Sequence, residues 1–248
     1  MNNLSGKTAL VTGASRGIGR ATALALAAAG ARILVHYSRA EKEADAVVAE
    51  IRRTGGRAEK VNADLALKDG PHHLAEQVRS IVGQRLDILV ANAGISIPSP
   101  IEETKVDDFD RLFAVNVRAP YFLVQQLLPL LHNDSSITFV SSLAARSSVG
   151  NISAYAATKG AIDTIVKHFA AALGPKGIRV NAVAPGIVDT DISNFTKTET
   201  GREAALGMQA LKQIAKPDDI GGVIAFLASD AARWITGHTV RVDGGSKL

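Results

Sequence analysis

The 248-residue chain has no cysteine, few aromatic residues (4%) and no long apolar run. Without cysteine there is no disulfide, no thiolate nucleophile and no cysteine-ligated zinc, and the composition fits a chain made in a reducing compartment. No two of the six histidines stand in a His-x-x-x-His spacing, and the adjacent pair His72 and His73 would diverge on a helix, so no metal site is expected. The opening Met1-Asn2-Asn3-Leu4-Ser5-Gly6-Lys7 has no charged-then-apolar leader pattern, and the longest apolar stretch, near 21–29, is too short to cross a bilayer. The expectation is a cytoplasmic protein without a membrane partner. A formal charge of +4 raises the question of nucleic acid, but the basic residues are scattered and base-stacking aromatics are scarce, so no nucleic-acid partner is expected.

What is present is a regular alternation. Short apolar runs at 8–12, 32–36, 58–62, 88–91, 137–141, 179–184 and 239–242 read as seven buried strands. Helical patterns lie between them at 17–29, 41–53, 71–82, 106–131, 153–173 and 217–227. Such alternation predicts an α/β fold, a single doubly wound parallel sheet with helices on both faces and ligands bound beyond the carboxyl ends of the strands. With 46% hydrophobic residues and no linker, repeat or low-complexity tract, residues 1–248 read as one domain. The segment 191–215, polar at its start and weakly periodic, reads as a substrate lid.

Two clusters carry chemistry. After the first strand comes Gly13-Ala14-Ser15-Arg16-Gly17-Ile18-Gly19, then a helix. Strand, glycine turn, helix is the order a dinucleotide site needs, because glycines let the backbone approach a pyrophosphate held by N–H groups and the helix dipole. The spacing is G-x-x-x-G-x-G, not the general G-x-G-x-x-G, and a glycine turn can also be merely structural. The second cluster is Ser142, Tyr155 and Lys159. Tyr155 and Lys159, four apart on a helix, share a face, so an ammonium can sit beside a phenol and lower its pKa while a serine hydroxyl donates to a substrate oxygen. Taken alone, this triplet also reads as a solvated pair beside a turn. Together the two point to carbonyl/alcohol redox chemistry. Asn116 and Pro120 are also four apart, and proline offers no N–H to the Asn116 carbonyl; Pro120 either frees that carbonyl for function or kinks the helix for packing alone.

Thr12 to Gly19, with Ser142, Tyr155 and Lys159 at their observed spacing, resemble the motifs of the short-chain dehydrogenase/reductase family. The resemblance extends through Asn92-Ala93-Gly94, Asn116, Pro185-Gly186 and Val242-Asp243-Gly244-Gly245 to the end of the chain; one departure is Ala91, where the family often has asparagine. It implies a Rossmann fold, a nicotinamide cofactor and a homotetramer with the helices around Asn116 and Ser153 and the last strand at interfaces. It also implies roles. Ser142 would hold the substrate carbonyl oxygen and Tyr155 would donate its proton. Lys159 would lower the tyrosine pKa and anchor the nicotinamide ribose, and Asn116 would complete a proton relay. The cofactor would lie on Gly13, Ser15, Arg16, Gly17, Ile18 and Gly19, on Asn92, Ala93 and Gly94 beside its ribose, and on Pro185, Gly186, Ile187 and Thr190 at its carboxamide. Ala63, Asp64 and Leu65 would meet the adenine, though an aspartate after a strand is also an ordinary turn former.

The end of the second strand, His36-Tyr37-Ser38-Arg39, lacks the acidic residue that an NAD site uses for the ribose 2′-OH. Tyr37, Ser38 and Arg39, with Arg16, are instead suited to a 2′-phosphate, which favours NADP(H); NAD(H) remains the alternative if Arg39 simply faces solvent. Leu143, Ala144, Arg146, Asn151 and Ile152 would line the substrate pocket with Ser142 and Tyr155, and Ser96, Ile187, Ile192 and Phe195 would add to it. Arg146 would either bind an anionic group or be solvated. This mostly apolar set favours a ketone with a hydrophobic substituent. The chain as a whole looks like 3-oxoacyl-carrier-protein reductases, so the favoured reading is an NADPH-dependent reductase of a ketone or 3-oxoacyl group, the substrate being a small molecule or one linked to an acyl carrier protein. An NAD(P)-dependent secondary-alcohol or sugar dehydrogenase is the alternative, and a catalytically silent cofactor sensor is the third reading.

Overall fold

Strands β1 (Thr8–Val11), β2 (Arg32–Tyr37), β3 (Arg57–Asn62), β4 (Ile88–Ala91), β5 (Ser136–Val140), β6 (Arg179–Pro185) and β7 (Thr239–Val242) form one sheet in the order β3-β2-β1-β4-β5-β6-β7. The computed structural model describes residues 3–190 and 198–247. Every neighbouring pair of strands is parallel, which requires a crossover between them. Helices α1 (Gly17–Ala28), α2 (Glu41–Arg53), α3 (Gly70–Val82), α4 (Val106–Phe113), α5 (Ala119–Leu127), α6 (Ser153–Leu173), α7 (Glu199–Met208) and α8 (Pro217–Ala228) occupy the connections.

The inner strands β1, β4, β5 and β6 are almost wholly buried because both faces of the sheet are covered there, while the edge strands β3 and β7 carry polar residues such as Lys60 and Arg241. Side chains alternate between two cores. Val11, Ile33, Val35 and Val90 pack with Leu26, Val47, Ile51, Ile220 and Ile224 on one side; Leu10, Leu34 and Leu89 pack with Leu74, Val78, Leu123, Leu127, Ile162 and Val166 on the other. Because β1 lies between β2 and β4, the chain leaves these strands toward opposite faces, and the crevice so opened lies at their carboxyl ends.

Two segments differ from the sequence expectation. The helix expected over 106–131 is broken into α4, a π turn at Ala114–Arg118, α5 and a 3₁₀ turn at Leu128–Leu130. The Ala119 N–H reaches back five residues to the Ala114 carbonyl, and Pro120 sits in the first turn of α5, where its missing N–H costs little. The Asn116 carbonyl thus has no donor in the α-helical register. Within the 191–215 segment, residues 199–208 form helix α7, while 191–197, including Ile192 and Phe195, lie outside the described residues. Among the described residues no helix is long and apolar enough to cross a membrane.

Candidate active site

A cleft of about 1480 Å³ opens along the carboxyl ends of the strands, from the turn after β3, across the glycine turn, to the loops around Ser142 and α7. The glycine turn is held from several sides. Gly13 and Gly17 have positive φ (63° and 55°), which only glycine adopts at little cost. Thr12 Oγ1 accepts the N–H groups of Asn92 (3.0 Å) and Ala93 (2.9 Å), and Asn92 Nδ2 donates to the carbonyls of Thr12 (2.8 Å) and Gly13 (3.2 Å). Asn92 therefore welds β1 to β4 at the switch point. Gly19 is demanded by close approach: a Cβ there would lie 2.2 Å from the Gly13 carbonyl oxygen.

These residues fit a nicotinamide dinucleotide. Arg16 caps α1 without a side-chain hydrogen bond, and no acidic residue stands in the first turn, so the positive end of the helix faces the cleft unopposed. Further in, a Cβ on Gly94 would lie 3.2 Å from Asn116 Oδ1 and 3.6 Å from Lys159 Nζ, so glycine keeps the floor beside the lysine low. At the other end, Asn62 Nδ2 donates to the carbonyls of Ser38 (2.7 Å) and Tyr37 (3.2 Å) and fixes the turn after β2. Arg16 and Arg39 both line the cleft, and neither forms an ion pair among the described residues. Glu41 is neutralised by Lys60 at 2.8 Å; Glu43 is the carboxylate that stands on the wall there.

At the chemical end, Ser142 caps the short 3₁₀ turn Leu143–Ala145 by accepting the Ala144 N–H at 3.1 Å, and its hydroxyl also hydrogen-bonds with Tyr155. Tyr155 and Lys159 project from α6 into the same cleft. Burial pushes the Tyr155 phenol above its ordinary value, opposed by a hydrogen bond with Ser142, so the tyrosine is protonated at neutral pH. Lys159 Nζ donates to the Val140 carbonyl at 2.8 Å and lies 5.5 Å from the centroid of the Tyr155 ring. Burial pushes Lys159 down to about 8, partly offset by Asp163. The ammonium thus sits over the ring, and among the described residues no hydrogen bond joins it to the Tyr155 hydroxyl.

The cleft wall contains Gly13, Ser15 to Gly19, Tyr37 to Arg39, Asp64, Leu65, Asn92 to Gly94, Ser96, Ser142 to Ala144, Asn151, Ile152, Tyr155, Lys159, Pro185 to Ile187 and Thr190. Three expected residues are not on it. The Arg146 guanidinium is held at 2.8 Å by Asp243, a partner 97 positions away, and braces the last loop instead of facing the pocket. Asn116 turns its side chain to the Ile95 N–H and carbonyl (2.9 Å each) and to Thr158 Oγ1 (3.1 Å), so the amide positions the loop after β4 against α6. Ala63 is buried, its carbonyl facing His36 Nε2 at 3.1 Å. Conversely, His36, Arg111, Val149, Met208 and Lys247 line the cleft without having been singled out as site residues. Lys247 reaches it because the tail pairs with the end of α7, its N–H donating to the Met208 carbonyl at 2.8 Å, while its ammonium donates to the Ser148 carbonyl.

His36 is 2% exposed, and burial pushes its pKa down to about 4, against the opposing effects of the Ala63 carbonyl and Asp64. The imidazole is therefore neutral at pH 7, with one ring nitrogen a donor and the other an acceptor.

Residues 13–247 match a family model described as enoyl-(acyl carrier protein) reductase. The hydroxynaphthalene reductase-like protein Arp2 of Metarhizium robertsii is 40% identical, over 98% of this chain and 96% of its own length. Versicolorin reductase stcU of Emericella nidulans is 39% identical, with the same coverage. The crystal structure of the angucycline C-6 ketoreductase LanV with bound NADP superposes with a TM-score of 0.94 at 41% identity, covering 100% of this chain and 98% of that one. These matches span the glycine turn, the Ser142–Tyr155–Lys159 cluster and the C-terminal loop alike: the chain belongs to the short-chain dehydrogenase/reductase family and is an oxidoreductase acting on C=O and CH–OH groups.

Proposed function

We propose that this protein is an NADPH-dependent ketoreductase that converts a hydrophobic, ring-borne ketone to a secondary alcohol. The observation that carries the reading is a protonated Tyr155 hydrogen-bonded with Ser142, in one cleft with an uncapped glycine turn and two unpaired arginines. Its likeness to a hydroxynaphthalene reductase-like protein, a versicolorin reductase and an angucycline C-6 ketoreductase supports the substrate class, as do the apolar wall residues Ile95, Val149, Ile152, Ile187 and Met208.

Bound NADPH supplies the hydride that adds to the carbonyl carbon. Ser142 Oγ–H donates a hydrogen bond to the ketone oxygen, polarising the carbonyl and fixing its orientation. The Tyr155 hydroxyl gives its proton to that oxygen as negative charge builds on it. The phenolate left behind is stabilised by the Lys159 ammonium above the ring, held in place by the Val140 carbonyl and available to a ribose hydroxyl. The Asn116 side chain contributes by positioning: it keeps Ile95 and α6 in register.

The test is nucleotide affinity followed by turnover on a panel of cyclic aromatic ketones and a 3-oxoacyl thioester. The reading predicts tighter binding of NADPH than NADH. In the double variant R16A/R39A, NADPH affinity is expected to fall by about a hundredfold or more, since two charge-assisted hydrogen bonds worth roughly 1.5–3 kcal/mol each are removed. NADH affinity should stay nearly constant; equal losses for both nucleotides would remove the arginines from 2′-phosphate recognition.

A pH dependence follows from Lys159. It carries its charge below about 8 and loses it above. The kcat/KM for NADPH, which reports the free enzyme, is expected to decline as pH rises through that value. A profile level to pH 10 would contradict this role for the lysine.

The same reading includes assembly into a homotetramer. Phe109 on α4 and Tyr121 and Phe122 on α5 are 36–40% exposed and offer apolar area for contacts between copies. Sedimentation as a single 25.9 kDa chain would contradict the assembly.

A further inference from the structure

His36 sits under the glycine turn. Its Nδ1 lies 3.0 Å from the Gly13 nitrogen, and its Nε2 lies 3.1 Å from the Ala63 carbonyl oxygen. A backbone N–H can only donate and a carbonyl can only accept, so the partners fix the tautomer: Nδ1 is the bare acceptor and Nε2 carries the proton. We propose that His36 is a positioning residue for the nucleotide, its neutral imidazole locking the pyrophosphate turn after β1 and the adenine-side wall after β3 into one unit. The proposal rests on the reading of the cleft as a nucleotide site.

The main chain around it shows the same stitching. The His36 carbonyl accepts the Ala14 N–H at 2.8 Å, and the Ala63 N–H donates to the Tyr37 carbonyl at 3.2 Å. The imidazole adds the two connections that the backbone does not make. Gly13 is thereby gripped through both its polar groups, its N–H by His36 and its carbonyl by Asn92 Nδ2. Asn92 alone leaves the first glycine free to turn its N–H. With His36 present, that N–H is committed, and a bound pyrophosphate is left to the amides further along the turn, at the start of α1. The next three residues on β2 and its turn, Tyr37, Ser38 and Arg39, all line the cleft. One side chain therefore connects the three segments that would hold the adenosine half of the cofactor, and neither of its ring hydrogen bonds reaches the Ser142–Tyr155 end.

That separation makes the role testable. Phenylalanine at 36 keeps a ring but leaves the Gly13 N–H and the Ala63 carbonyl without partners; asparagine offers one acceptor and one donor. In H36F the Kd for NADPH is expected to rise tenfold or more, while kcat at saturating NADPH and the KM for ketone stay within about twofold, and H36N recovers most of the lost affinity. A Kd for H36F within twofold of the unmutated protein, or an H36N no better than H36F, would overturn the proposal. If H36F does not fold, the nitrogen NMR of histidine-labelled, unmutated protein at pH 7 decides: the proposal requires a bare Nδ1 and a protonated Nε2 on His36, and the opposite tautomer or an imidazolium overturns it. Failure of the unmutated protein to bind NADPH at all would instead overturn the nucleotide reading of the cleft.

Discussion

Replacing Tyr155 with phenylalanine is expected to lower kcat for ketone reduction by a factor of about 10² to 10⁴, the range typical of losing a positioned general acid. NADPH affinity should be nearly unchanged, because the variant keeps the ring that Lys159 overlies and deletes only the hydroxyl. The size of the effect follows from the environment. Burial holds the phenol protonated, so at neutral pH the enzyme carries its proton ready for delivery, hydrogen-bonded with Ser142. Without that proton, the alkoxide formed on hydride addition is left with the Ser142 hydrogen bond alone. A Y155F variant retaining more than about a tenth of kcat would assign the proton to another group.

The second large effect is expected at Gly19. A Cβ there would stand 2.2 Å from the Gly13 oxygen, 2.8 Å from its carbonyl carbon and 2.5 Å from Asn92 Nδ2. The obstructing atoms are chiefly backbone, so the turn itself must move, and with it the Asn92 clasp. Overpacking of this kind costs about 1–3 kcal/mol, and at the upper end G19A would weaken NADPH binding by roughly a hundredfold. G222A is the comparison: on α8 a Cβ at Gly222 meets nothing within 4 Å, and nucleotide affinity should be untouched. Titration of the two variants with NADPH checks both; equal affinities would mean that the turn accommodates the methyl group.

Much of this architecture is legible in local pattern. The strand ends 88–91 and 239–242 coincide with those read from apolar runs; the first is buried on both faces, and the second, at the edge, keeps its two valines. The spacing of Tyr155 and Lys159 places both in the cleft because a 21-residue helix carries them without interruption. What escaped detection depends on partners distant in sequence. Nothing near Arg146 announces Asp243, and nothing near His36 announces Gly13 and Ala63, 23 and 27 positions away. The π turn at Ala114–Arg118 is hidden because a single extra residue in one turn has no composition signal of its own. Helix α7 buries only Gly201 and Ala205, too little to give an apolar stripe.

Position 36 also carries a pH signature. With its folded pKa depressed to about 4 from 6.5, His36 contributes stability that is fully present above pH 6.5 and is lost as pH falls through about 4. The folded state must then either strand a buried charge or release the glycine turn, so acid should weaken the cofactor half of the cleft before the neutral pairings of the two cores.

The central claim is hydride transfer from NADPH to a ketone carbon with the proton supplied by Tyr155. The most direct test is to incubate the purified protein with NADPH deuterated at nicotinamide C4 and a cyclic aromatic ketone, and to locate the label in the product by NMR. The account predicts one deuterium on the carbinol carbon of a single alcohol enantiomer, formed by the unmutated protein and nearly absent with Y155F. Deuterium at a saturated carbon β to an intact carbonyl, as in reduction of a C=C bond, or equal product from Y155F, would contradict it.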